Sequence, residues 1–293
     1  MELDTQQKGF AFAFLASLFY ALKSAAIKFA PSAEVEFFVF FRFFFDFLLL
    51  TPFFLTYRDK LKCDQPKLHF LRAIFVTFSI YCSVYGIRHL ALVDAVMLEN
   101  SLPLFVPLVG WIWLKQKINL SSCLILILGF SAVFLILRPK LDILHLASFA
   151  SVGTGLASAI TALILSRLSK TEHPLAILFY FNLFSAAISI IPCIYTWKGM
   201  PPFSFSFWLP FVFVSFFGVL FQYSITRAFG LILPHVAGSF AYFGVLFSAI
   251  VGWLFWQEAL SLVQILGGAL LIGSGLMMIR ENRRRVSLES PNA

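Results

Sequence analysis

The chain has 293 residues, 60% of them hydrophobic and only 12% charged, with a formal net charge of +8. A soluble globular chain is about half apolar and about a quarter charged, so this composition excludes an ordinary water-soluble domain. It points to the bilayer, where backbone groups pair internally and apolar side chains face lipid.

A helix crossing the hydrocarbon core needs about 20 mostly apolar residues. Ten such stretches occur in chain order: 9–29, 37–57, 69–88, 93–114, 120–138, 145–167, 174–197, 204–227, 235–256 and 260–279. The first reads as a span and not as a cleaved leader, because it is too long and no small-residue cleavage site leads into a polar segment. Connections are short, and Arg280, Arg283, Arg284 and Arg285 mark a basic tail over 281–293.

Lys and Arg in the loops set the orientation. Lys8, Arg58, Lys60, Lys62, Lys67, Arg72, Lys115, Lys117, Arg167, Lys170, Arg227 and the four tail arginines fall on one side, fifteen in all. Arg88, Arg138, Lys140 and Lys198 fall on the other. Both termini are therefore expected in the cytoplasm, and the basic tail is expected beside anionic lipid and not on a nucleic acid.

A shift of 142 residues lays Val109-Gly110-Trp111 on Val251-Gly252-Trp253, with further identities at Ala95, Leu104, Phe105 and Leu120. Five spans precede residue 140 and five follow it. An odd number of spans per copy turns the second copy upside-down, the plan of many secondary transporters. The fold expected is an all-α integral membrane protein of ten transmembrane helices, built as two inverted five-helix repeats at 9–138 and 145–280.

An ionisable residue within a span costs free energy and usually faces a cavity or a partner. Lys23, Arg42, Asp46 and Glu99 are such residues, and Asn100 adjoins the last. Counted along their spans at about 1.5 Å per residue, all four charges lie at a similar depth in the outer half. A zwitterion needs a cation for its carboxylate, here Lys23 or Arg42, and an anion for its ammonium, here Glu99 or Asp46. A structural reading stays open beside this one, in which Arg42 pairs with Asp46 one turn away and Lys23 pairs with Glu99 between helices. Aromatic faces would serve a sulfonium or a purine. Tyr81 and Tyr242 are chosen for that role from a set that includes Tyr20, Tyr180, Tyr223 and Trp111. Pro103 and Pro107 are expected to bend the fourth span beside Glu99. Asn182, Gln222 and His235 read as interhelical hydrogen-bond partners, and Gly155/Ala159 and Ala269/Gly273 as close-packing pairs.

Cys63, Cys82, Cys123 and Cys193 show no paired spacing, and no zinc, redox, phosphate-loop or nucleophile motif is present. No enzyme, cofactor or metal is expected. The partners expected are a small-molecule substrate and the lipid bilayer, without nucleic acid and with a homodimer left open.

Several segments resemble the drug/metabolite transporter superfamily in its ten-helix, EamA-like branch. Glu34-Val-Glu-Phe-Phe-Val-Phe-Phe-Arg42 resembles its second helix. Tyr85-Gly-Ile-Arg-His-Leu-Ala-Leu-Val-Asp-Ala95 resembles its third-to-fourth junction, and Pro103-Leu-Phe105 its fourth-helix proline pattern. Trp256-Gln-Glu258 before Gln264-Ile-Leu-Gly-Gly268 resembles the junction before its last helix, whereas the first repeat reads Lys115-Gln116-Lys117, without the usual glutamate. Within that superfamily the Phe-rich second helix is most similar to S-adenosylmethionine transporters. The resemblance implies an inner-membrane secondary transporter, with uptake of S-adenosylmethionine in exchange for S-adenosylhomocysteine as the specific expectation and export of amino acids or related metabolites as the alternative.

Overall fold

In the computed structural model the described residues are 2–30, 33–114, 120–137, 146–197, 199, 204–232, 237 and 240–289. They form eleven α-helices, one 3-10 turn at Arg58–Lys60, and no strand. The helices are α1 (Glu2–Phe29), α2 (Val35–Thr56), α3 (Pro66–His89), α4 (Leu92–Glu99), α5 (Leu102–Leu114) and α6 (Leu120–Leu137). They continue as α7 (Leu146–Thr171), α8 (Pro174–Tyr195), α9 (Phe205–Leu231), α10 (Ala241–Trp256) and α11 (Leu262–Glu289). Six of them, α1–α3 and α7–α9, are long and apolar enough to cross a bilayer, and shorter apolar stretches lie at Cys123–Val133, Ala241–Trp256 and Leu262–Met277. Pro66 and Pro174 open α3 and α8 at the first helical position, where the missing N–H has no intrahelical partner to lose. Phe38, Phe43, Phe181 and Phe211 fill the centre, while Phe44, Phe53, Phe70, Phe78 and Phe216 face outward, as expected of a bundle dissolved in lipid.

The apolar run 93–114 is divided into α4 and α5, where the sequence pattern predicts one span. The cause is local. Pro103 has no N–H for the carbonyl of Glu99, and Pro107 none for that of Pro103. Asn100 and Ser101 turn their side chains onto the preceding turn, Asn100 Nδ2 to Val96 O at 2.7 Å and Ser101 Oγ to Leu98 O at 2.6 Å. The main chain tightens to i→i−3 bonds, Ser101 N to Leu98 O at 3.1 Å and Leu104 N to Ser101 O at 2.9 Å, the geometry of a 3-10 turn. The second half carries a similar tightening before α10, with Phe240 N to Ala237 O at 3.2 Å and Phe243 N to Phe240 O at 2.9 Å.

The most extensive packing joins helices that precede residue 138 to helices that follow residue 145. α1 lies along α9, α3 along α7, α6 along α11 and α2 along α8, while α4 and α5 rest on α7, and α10 on α1 and α4. The α3–α7 seam is built from small residues. Thr154 Oγ1 donates to Ser79 O at 3.2 Å, and the hydroxyls of Ser79 and Ser158 meet at 3.3 Å. A Cβ on Gly86 would overlap Ser151 Oγ. Gly155 of α7 packs against the α4–α5 break, where a Cβ would overlap Ser101 Oγ and lie 3.1 Å from Glu99 O. Close packing at Gly155 thus matches expectation, whereas Gly273 has open space around it.

Polar clusters bind both ends of the bundle. At one end Glu258 follows Gln257, which closes α10 in the left-handed conformation at φ 53°. The Glu258 carboxylate folds back on Gly252, whose missing side chain makes room for it. It pairs with Lys28 Nζ and accepts from Leu92 N at 2.8 Å; Gln264 Nε2 donates to Asp94 Oδ1 at 2.6 Å nearby. At the other end Glu172 Oε1 accepts from the N–H groups of Asp64 and Gln65 at 3.2 and 3.1 Å, and Oε2 meets His69 Nε2 at 2.5 Å. A carboxylate so placed favours the positive end of α3.

The expected tail continues α11 as helix to Glu289. Lys115, Lys117, Arg138, Lys140 and His235 lie outside the described residues.

Candidate functional site

Tyr20, Lys23 and Ser24 lie within about one turn of α1, with Lys23 and Ser24 buried and Tyr20 half-buried. The Tyr20 hydroxyl donates to Glu99 Oε2. The Lys23 ammonium stands 4.5 Å from the Tyr20 ring centroid and 5.3 Å from that of Phe221 in α9, and the two rings are 5.4 Å apart. Such cation–π contacts hold an ammonium without neutralising it. Glu99 is the last residue of α4, so the helix break sets where its carboxylate points. Among the described residues its Oε1 has no hydrogen-bond partner.

Arg42 and Asp46 share one face of α2, with Nη2 and Oδ2 3.6 Å apart and both side chains almost wholly buried. That is an ion pair without a hydrogen bond. Among the described residues, Arg42 Nε and Nη1 and both carboxylate oxygens of Asp46 have no hydrogen-bond partner. α9 accommodates the guanidinium: a Cβ on Gly218 would lie 3.2 Å from Arg42 Nη2, and Ser215 Oγ donates to Arg42 O at 3.0 Å. Lys23 lies within Coulombic reach of Arg42, Glu99 and Asp46. The four charges singled out in the sequence therefore occupy one region between α1, α2, α4 and α9, two of each sign.

The other sequence candidates divide. Asn100 is buried beside Glu99, but its amide is bonded to its own helix. Tyr81 lies near Glu36 and Cys193, toward the start of α2 and the end of α8, with a hydroxyl that has no partner among the described residues. Tyr242 points its hydroxyl at the face of α11 left open by Gly275. The aromatic rings at the charges are instead Tyr20 and Phe221. Tyr20 precedes Lys23 by three residues, a same-face spacing that could have identified it. Asn182 bonds to its own helix at Leu178 O, and Gln222 bridges to Arg72 as an interhelical partner.

Among the described residues, Cys63, His69 and Glu172 bring possible metal-ligand atoms within 4.8 Å of one another. Both Glu172 oxygens are already engaged, with the start of α3 and with His69, so the group is explained as a helix cap. Burial and the nearby Glu172 push the Cys63 thiol above its ordinary pKa.

An all-helical, multi-pass bundle that buries charges of both signs at its centre, beside an interrupted helix, has the architecture of a membrane carrier. The comparisons agree. The EamA-like transporter family matches residues 7–138 and again 145–280, and the chain belongs to that family. It is 27% identical over 289 residues to the pseudopaline exporter of Pseudomonas aeruginosa strain UCBPP-PA14, covering 97% of this chain and 100% of that one. It is 24% identical over 249 residues to the S-adenosylmethionine uptake transporter of Rickettsia bellii, covering 85% and 84%. To the riboflavin transporter of Vibrio cholerae it is 23% identical over 198 residues, covering 67% and 66%. A solved crystal structure at 15% identity superposes with a TM-score of 0.66 over 95% of this chain and 98% of that one, and so shares the fold. The protein is a membrane transporter of small metabolites and not an enzyme.

Proposed function

We propose that the chain carries a zwitterionic metabolite across the bacterial inner membrane by alternating access, and that the metabolite is S-adenosylmethionine, taken up in exchange for S-adenosylhomocysteine. The observation that carries this reading is the cluster of Lys23, Arg42, Asp46 and Glu99 beside the rings of Tyr20 and Phe221. Lys23 or Arg42 receives the substrate carboxylate, Glu99 or Asp46 its ammonium, and the rings its sulfonium or base. Asn100, Tyr81 and Tyr242 belong to the same proposal in outer positions. Similarity to the Rickettsia transporter supports this substrate. Similarity along the whole chain to the pseudopaline exporter favours the second reading, export of an amino-acid-derived metabolite through the same site.

The proposed topology is ten spans in two inverted repeats, 9–138 and 145–280, with both termini and the 281–293 tail in the cytoplasm. Two observations support it. The family matches twice, and the packing is reciprocal: α1 packs on α9 as α7 packs on α3, and α2 on α8 and α6 on α11 join equivalent helices. Since the strongest packing crosses between the repeats, the bodies that rock contain helices of both.

Uptake of labelled S-adenosylmethionine by bacteria expressing the chain tests the reading. Saturable uptake above an empty-vector control, competed chiefly by S-adenosylhomocysteine, is expected. No uptake from membranes that contain the protein overturns this substrate and directs the assay to amino-acid efflux.

A further inference from the structure

The loop-cation count puts Arg72 among the cytoplasmic charges, but its side chain lies inside the bundle. It sits in α3 six residues past Pro66, about 9 Å along the axis, and is only 2% exposed. Nη2 donates to Gln222 Oε1 at 3.2 Å, and the guanidinium carbon lies 5.0 Å from the ring centre of Phe181. Among the described residues, Nε and Nη1 have no hydrogen-bond partner. No carboxylate among the described residues forms an ion pair with it. Its titratable neighbour one turn earlier, His69, is engaged by Glu172. A buried cation without a counter-charge is costly, and in membrane proteins it marks a pathway.

The position of Arg72 relative to Arg42 gives this cation a use. One stripe of α9 carries Ser215, Gly218, Gln222 and Thr226, all on the inward face. Ser215 and Gly218 hold Arg42, and Gln222 holds Arg72. Four residues, about 6 Å, separate Gly218 from Gln222 along that helix. Thr226 is buried one turn further on, with a hydroxyl that has no partner among the described residues. Arg42 shares its charge with Asp46, whereas Arg72 has no such claim upon it.

We propose that Arg72, with Gln222 and Thr226, forms a second carboxylate-binding station, one helical turn from Arg42 toward the end of the bundle where α3 begins. A substrate carboxylate leaving Arg42 is received there, so Arg72 sets affinity at the cytoplasmic face. The inference rests on the proposed orientation and on a carboxylate-bearing substrate.

The test uses the full chain in right-side-out and inside-out membrane vesicles, with S-adenosylmethionine and its decarboxylated analogue as probes. Loss of a charge-assisted hydrogen bond corresponds to about tenfold or more in affinity. Arg72→Gln is expected to raise the half-saturating S-adenosylmethionine concentration by that factor at the cytoplasmic face and by less than about threefold at the other. The decarboxylated analogue is expected to be insensitive, Arg72→Lys to recover part of the loss, and Gln222→Leu to weaken the same face. Equal loss at both faces, equal loss for both probes, or no loss overturns the station. If the wild type carries no S-adenosylmethionine, the proposed substrate fails. The station is then read by thermal protection of the purified chain with L-methionine and with L-methioninol, which lacks the carboxylate. Protection by methionine alone, lost in Arg72→Gln, supports it; protection absent from the wild type or kept in the variant overturns it.

Discussion

The hydroxyl of Tyr20 donates to Oε2 of Glu99 and so ties the middle of α1 to the last residue of α4. The bond joins α1 to the break between α4 and α5, and among the described residues it leaves Glu99 Oε1 without a partner. Tyr20→Phe keeps the ring over Lys23 and removes only this donor. A buried polar group left unsatisfied costs about 1–3 kcal/mol, so Tyr20→Phe is expected to lower stability in detergent by that amount. Glu99→Gln combined with it is expected to cost less than the sum of the two, because they share one interaction. Additive losses in a thermal or denaturant titration would show that the bond is not formed.

Asp46→Asn leaves Arg42 buried and uncompensated. Breaking one side of a buried ion pair costs about 3–5 kcal/mol, and the variant is expected to lose both stability and transport. Replacing both residues by an apolar pair of similar volume is expected to restore stability but not transport. Recovery of transport in that double variant would remove the pair from the substrate site.

Gly155→Ala places a methyl group against the carbonyl of Glu99 and the hydroxyl of Ser101. Backbone cannot yield as a long side chain does, so the expected loss is about 1–3 kcal/mol. Gly273→Ala adds the same group where nothing lies within 4 Å and is expected to be neutral or mildly stabilising. Melting curves of the two purified variants make the comparison.

Glu258→Gln removes the charge that meets Lys28 while keeping an acceptor for Leu92 N. This end of the bundle is expected to open more often. A cysteine introduced as Ser24→Cys, at a position fully buried here, is expected to react several-fold faster with an impermeant maleimide from outside in the Glu258→Gln background. Unchanged labelling rates would show that the Lys28–Glu258 pair does not hold that end closed.

Cys63 lies in the loop before α3, with its thiol pushed above the ordinary value first by burial and then by Glu172. The thiolate is the reactive form. Its maleimide reaction at neutral pH is therefore expected to be slower than that of a free thiol and to keep rising with pH beyond the point where a free thiol levels off. Glu172→Gln is expected to speed it. With Cys82, Cys123 and Cys193 replaced by serine, labelling only from the cytoplasmic face bears on the proposed orientation, and labelling only from outside inverts it.

The buried charges were readable because Lys23, Arg42, Asp46 and Glu99 interrupt apolar runs, and such interruptions are rare in spans. The division of the 93–114 stretch was readable only in part, since Pro103 and Pro107 predict a bend beside Glu99 but not a full break. The break depends on hydrogen bonds that Asn100 and Ser101 make with their own backbone. Tyr242 and Tyr20 look alike in sequence. What separates them is a glycine more than thirty residues later, which takes the Tyr242 hydroxyl onto α11. Arg72 lies near the start of an apolar run and so reads as a loop charge, and its contact with Gln222, 150 residues away, shows it to be inside.

The seam of Ser79, Ser158, Thr154 and Gly86 joins α3 to α7 across the middle of the chain. Either sequence half, made alone, would turn its hydroxyls and its bare glycine toward lipid, with no mate to cover them. The two halves of the sequence are thus braided, not docked. In chain order α3 is made before α7, so the seam has no second side until the later half of the chain is present.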